Sequence, residues 1–152
     1  MSLKSQLQSD LSVAIKAKDQ TVSGTLRLAL SAITTEEVAG KQARELSDAE
    51  VVSILVKESK KRKEAAEAFA AANRQELADK ELAELKVLEK YLPTPLTDAE
   101  VGEIIKSAIA EAAEQGNTGM KAMGVVMKIV QPKTAGRYDG SKIAAMVKEA
   151  LA

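Results

Sequence analysis

From Leu3 the apolar positions fall at Leu7, Leu11, Ala14 and Ile15, the spacing that lines one face of an α-helix. The polar stretch "AKDQ" turns the chain, and a second stripe runs through Val22, Leu26, Ala29, Leu30 and Ile33. Gly40 stands where a left-handed helix end is easiest to make, so two helices are expected before residue 41. "LSDAEV" at 46–51 is a capping box: the Ser47 hydroxyl accepts from the Glu50 amide, and the Glu50 carboxylate reaches back to the Ser47 amide. Leu46 and Val51 suit the hydrophobic staple that accompanies it. The same pattern returns as "LTDAEV" at 96–101, with Thr97 and Glu100 in the box. The segments after the two boxes diverge at once, so the boxes mark helix starts rather than a repeat.

Between the boxes lies a long stretch rich in Ala, Glu, Lys and Leu. It divides at Asn73, where "NRQE" offers an N-cap with Glu76 three residues on. A third helix to about residue 72 and a fourth over 74–92 are expected. "YLPTPL" stops the fourth, because Pro93 disfavours helical geometry at Leu92 and Pro95 repeats the constraint. Three shorter helices follow over 98–115, 120–130 and about 141–151, joined by "GNTG" and "QPKTAGRYDG". The pattern predicts an all-α protein. A four-helix N-terminal domain, residues 1–92, is joined by a Pro-containing linker, residues 93–96, to a three-helix C-terminal domain, residues 97–152.

Composition narrows the chemistry. Of 152 residues 45% are hydrophobic but only 2% aromatic (Phe69, Tyr91 and Tyr138), so the core is aliphatic, as packed helices prefer. With no His and no Cys, zinc fingers, Cys nucleophiles, Ser-His-Asp triads, haem ligation and disulfides are excluded. No catalytic residue, metal site or cofactor is assigned. The apolar runs fall far short of the roughly 18 residues of a membrane span, and "MSLKSQLQSD" is polar where a signal peptide is apolar. No membrane role is expected, and the expected compartment is cytoplasmic.

The 22 basic and 22 acidic residues cancel, so any affinity for nucleic acid must be local. The densest charge run, "KESKKRKE" at 57–64, reads first as a solvated helix face and second as a phosphate contact. Glu36/Glu37 and Glu81/Glu84 read as surface charges, since nothing nearby would shift their pKa values. Met120, Met123, Met127 and Val130 form one apolar stripe, either core packing or a flexible partner groove. Gly124 sits beside that stripe at a cost of about 1 kcal/mol relative to Ala, so something should approach its backbone closely. A neighbouring helix or a nucleic-acid backbone would serve.

Charge is polarised along the C-terminal third. Residues 97–115 carry Asp98, Glu100, Glu103, Glu111 and Glu114 against Lys106 alone. Residues 116–148 carry Lys121, Lys128, Lys133, Arg137, Lys142 and Lys148 against Asp139 alone. Lys121 and Lys128, seven apart, share a helix face, and Lys133 and Arg137 continue past the expected helix end. A basic strip that ends in a Gly-containing turn and a helix N-terminus suits phosphate. The expected nucleic-acid contacts are therefore Lys121, Gly124, Lys128, Lys133, Gly136, Arg137, Gly140 and Lys142. Without aromatic platforms such a site reads shape and backbone more than bases.

"MGVVMK" followed by "GRYDGSKI" resembles the C-terminal signature of the GatB/YqeY family. That signature is shared by small stand-alone YqeY-like proteins and the tail of the B subunit of tRNA-dependent amidotransferases. "TLRLALSAI", "KKRKEAAEAF", "NRQELADKELAELKVLEKYLP" and "LTDAE" are similar to the YqeY-like pattern in the same order, so the resemblance spans the chain. It implies an all-α fold with a three-helix tail of the kind associated with holding tRNA. Gly124, Met127, Lys128, Gly136, Arg137, Asp139 and Gly140 occupy its motif positions. Tyr138 departs from the small residue usual there and adds one possible stacking group. The amidotransferase's catalytic domains have no counterpart in this sequence. The resemblance thus implies an accessory module that binds tRNA or another structured RNA, linked at family level to glutamine-dependent carbon–nitrogen ligation. The alternative is a helical adapter with a protein partner and no nucleic-acid role.

Overall fold

The computed structural model describes residues 1–152, which form seven α-helices and no strand. They are α1 (Leu3–Lys16), α2 (Gln20–Glu37), α3 (Asp48–Ala71), α4 (Gln75–Glu89), α5 (Asp98–Glu114), α6 (Met123–Thr134) and α7 (Gly140–Leu151). The chain divides into two compact units, Met1–Leu92 and Pro93–Ala152.

In the first unit α1 and α2 form a hairpin. Lys18 closes α1 in the left-handed conformation (φ 58°), with Asp19 N–H donating to Ala14 O and Lys18 N–H to Ile15 O, a Schellman pair. Asp19 then caps α2 by accepting from the Val22 amide at 3.0 Å. Leu7, Leu26, Ala29, Ile33, Val51, Leu55 and Leu88 fill the core between these helices and α3 and α4. Ile15 does not join them: it is 47% exposed, and the α1 stripe ends at Ala14. Gly40 is not the left-handed terminator either, since α2 ends at Glu37 and Gly40 is absent from the positive-φ positions.

Both capping boxes form as expected. At α3 the Ser47 amide donates to Glu50 at 2.9 Å, and at α5 the Thr97 amide donates to Glu100 at 2.8 Å. Leu46 and Val51 are both buried in the first core. The break between α3 and α4 has a different chemistry from the one expected. Asn73 does not cap the N-terminus of α4; it ends α3 with φ 58°, Arg74 N–H reaching Phe69 O at 2.8 Å and Asn73 N–H reaching Ala70 O at 3.1 Å. Arg74 stands at the start of α4 without any side-chain cap. Asn tolerates the left-handed region, which outweighed its capping preference here.

The second unit packs α5, α6 and α7 against one another around Val101, Ile105, Ala108, Val126, Val130, Ile143 and Val147. Residues 93–96 belong to this unit rather than hanging between the two. Leu96 packs on its core, and the Leu96 amide donates to Arg137 O at 2.8 Å. A 3-10 turn over Gly119–Ala122 precedes α6, and α6 runs on through Pro132 to Thr134, beyond the expected stop at residue 130. Pro132 is exposed, as is Lys128, whose carbonyl loses the amide that residue 132 would have supplied, so water can take the bond. The Thr134 hydroxyl supports the last turn by donating to Val130 O at 3.0 Å.

Charge pairing is uneven. Lys4–Glu37, Arg44–Glu50, Lys61–Glu58, Arg62–Glu58, Arg62–Glu84 and Arg74–Glu76 all lie in the first unit.

Candidate nucleic-acid interface

The face that α6 turns to its neighbours is set by Ala122, Val126, Val130 and Thr134, all buried at four-residue spacing. The methionines are therefore not the core stripe. Met123 and Met127 flank it half-buried, and Met120 is 48% exposed. Opposite the buried stripe, Lys121, Gly124, Lys128 and Gln131 are exposed at spacings of three, four and three residues, which is one outward face. Gly124 was expected to be pressed by a neighbouring helix; instead, a Cβ added there would meet nothing within 4 Å. Bare helix backbone is left open between two lysines.

The remaining predicted residues do not all gather on this face. Lys133 is exposed but five residues beyond Lys128, which carries it round the helix toward the opposite side. Lys142 lies four residues before Met146 and seven before Glu149, and so shares their face of α7. Gly136 takes φ 72° and reverses the chain after α6, a conformation that favours glycine. Gly140 is the first residue of α7, where Asp139 caps by accepting from the Ser141 amide at 3.0 Å and the Ser141 hydroxyl at 2.8 Å.

Arg137 is half-buried and occupied within the fold. Its Nε donates to Thr94 O at 2.9 Å while its own carbonyl receives the Leu96 amide. The charge of Arg137 also contributes to holding the Glu100 carboxyl below its usual range, after the larger effect of the Thr97 hydrogen bonds. Tyr138 beside it donates to Asp98 and approaches the Met146 sulfur at 3.7 Å. The Asp98 hydrogen bond, with burial and the nearby acids adding to it, raises the Tyr138 phenol above its ordinary value. The turn thus clasps residues 94–98. Sequence reading missed Thr94, Leu96 and Asp98 as its partners, because pairings about 40 residues apart leave no local periodic signal.

The "KESKKRKE" run is not uniformly solvated. Arg62 is buried, its Nε on Glu84 and its Nη1 on both the carboxylate and carbonyl of Glu58, each at 3.1 Å. Burial opposes the charge of Glu58, yet Lys61 and Arg62 keep its carboxyl below the ordinary range. Glu84 is therefore a structural partner rather than a surface charge. So is Glu37, buried against Lys4 at 2.7 Å. No three acidic side chains converge closely enough to hold a metal ion, and no helix is long and apolar enough to cross a membrane.

The family model of YqeY-like proteins matches residues 4–151. The chain belongs to the YqeY-like family. It is 31% identical over 148 residues to a Pyrenophora tritici-repentis protein, covering 93% of this YqeY-like chain and 79% of that one. The relative is named altered inheritance of mitochondria protein 41, mitochondrial. A Saccharomyces cerevisiae protein of the same name is 37% identical over 90 residues, 58% of this chain and 47% of that protein. An uncharacterized Schizosaccharomyces pombe protein is 35% identical over 92 residues, 60% of this chain and 72% of its own. The cytoplasmic expectation is corrected by these relatives, two of which bear names that place them in mitochondria.

Proposed function

We propose that this YqeY-like chain is an accessory RNA-binding module whose ligand is tRNA or another structured RNA. Its C-terminal unit is read as kin to the tail of the amidotransferase B subunit, and through that kinship the chain is associated with glutamine-dependent carbon–nitrogen ligation carried out by other domains. The observation that supports this reading is the outward face formed by the 3-10 turn and α6, where exposed Lys121 and Lys128 flank the uncovered backbone of Gly124. Lysine supplies the phosphate charge, and the missing side chain lets a sugar–phosphate backbone come close. Arg137 serves this reading by shaping the turn.

Filter binding of bulk tRNA at several salt concentrations tests it. The double change Lys121→Ala/Lys128→Ala should weaken binding and reduce the slope of log affinity against log salt by about 0.7 to 0.9 for each lost phosphate contact. Changing Lys60 and Lys61 to Ala should leave the slope unaltered. Wild-type protein that ignores tRNA at low salt, or a double variant that binds as before, would favour the protein adapter instead.

A further inference from the structure

We propose that the groove between α5 and α7 receives one amphipathic helix of a partner protein. The groove is an open depression of about 480 Å³ between two helices that both rest on α6. It therefore faces away from α6 and is separate from the lysine face. Its floor is Gly102 and Ile109 on α5 with Met146 and Ala150 on α7. These positions are seven and four residues apart, two turns and one turn of helix, so the apolar floor runs along the helices as an elongated slot. A helix laid in such a slot presents side chains at i, i+3 or i+4, and i+7.

Gly102 has no role within the chain that calls for glycine. It lies inside α5, has no positive φ, and a Cβ added to it would meet nothing within 4 Å. Interior glycine weakens a helix relative to alanine, and what it provides here is room at the floor for a side chain from outside. Met146 adds a flexible, polarisable contact that adapts to the shape of an incoming aliphatic group.

The walls determine what kind of helix fits. Lys106 stands on the α5 wall and Glu149 on the α7 wall; both are exposed and neither forms an ion pair. A complementary helix carries an acid on the flank toward α5, a base on the flank toward α7, and aliphatic residues between them. Opposite charges on the two walls admit that helix in one orientation and oppose the reverse.

The test displays a randomised library of peptides about four helical turns long and selects it on the full chain. Enriched peptides should share the i, i+4, i+7 aliphatic spacing with opposite charges on its flanks. Fluorescence anisotropy should then show at least about a tenfold loss of affinity for Gly102→Leu, which fills the floor. The exchange Lys106→Glu/Glu149→Lys alters only exposed positions and should invert the charge order of the peptides recovered. No enrichment, enriched peptides without the spacing, or a charge order indifferent to the exchange would overturn the proposal. A folded Gly102→Leu chain that binds as before would do the same. Circular dichroism establishes the fold of each variant, and the exchange decides the matter if Gly102→Leu is poorly folded.

Discussion

Arg62 shows how much one side chain alters the reading of a segment. It sits in the most charged run of the sequence, yet it is buried and bonded to carboxylates from α3 and α4. Its guanidinium ties two helices whose side chains would otherwise meet as Glu58 and Glu84, like charges with 15% and 16% of their surface exposed. Deleting one partner of a buried pair leaves the others uncompensated, which is costlier than replacing the whole set. Arg62→Ala should therefore lower stability by about 3 kcal/mol in urea unfolding followed by circular dichroism. Lys61→Ala, which removes a side chain 71% exposed, should lose less than about 1 kcal/mol. Equal losses would mean that the Arg62 network contributes no more than a surface pair.

Among the helices, the starts of α3 and α5 were legible because a capping box is a short local code: hydroxyl, two residues, carboxylate. The helix ends were less so. Asn73 can cap a following helix or terminate a preceding one, and only the backbone shows that it does the second. Pro132 reads as a stop, but on the outer face of a last turn the lost hydrogen bond falls to solvent. The lysine face was half legible. Lys121 and Lys128 follow from spacing, whereas Lys133, Arg137 and Lys142 depend on where α6 ends and what the turn binds. The α3 box also has a pH signature. The Arg44 hydrogen bond, followed by those of Ser47, lowers the Glu50 carboxyl from its ordinary 4.5 to about 2. A carboxyl depressed on folding stabilises the native state above its unfolded value and ceases to do so as pH falls through its folded one. The contribution of Glu50 should be complete above about pH 4.5 and vanish toward about pH 2. Glu50→Gln should thus unfold more readily at neutral pH and lose less on acidification through that window. Parallel acid titrations of wild type and variant, followed by circular dichroism, would show the two converging; a constant gap would exclude the carboxylate as the cause.

Across the whole molecule the two units are built on different terms. The first joins an aliphatic core to the ion pairs of Lys4, Arg44, Lys61, Arg62 and Arg74, while the second relies on apolar packing and the clasp of residues 94–98 by the 137–138 turn. We propose that the units are separable in stability, and amide hydrogen exchange on the full chain would measure each in place. In the second unit Glu111 and Glu114 lie one turn apart on α5, and Lys121 of the 3-10 turn and Lys128 of α6 share an outward face, none of them ion-paired. Dissolved salt screens attraction and repulsion alike, with a Debye length near 3 Å at about 1 M. Protection should fall within residues 1–92 and hold or rise within residues 93–152 as salt is raised; the same trend in both would refute the difference. Ionic strength then acts as a differential control, loosening one half of the chain while calming the self-repulsion of the other. A polyanion resting along α6 would calm its lysines in the same way, so the C-terminal unit should stiffen on binding even where no atom of its backbone moves.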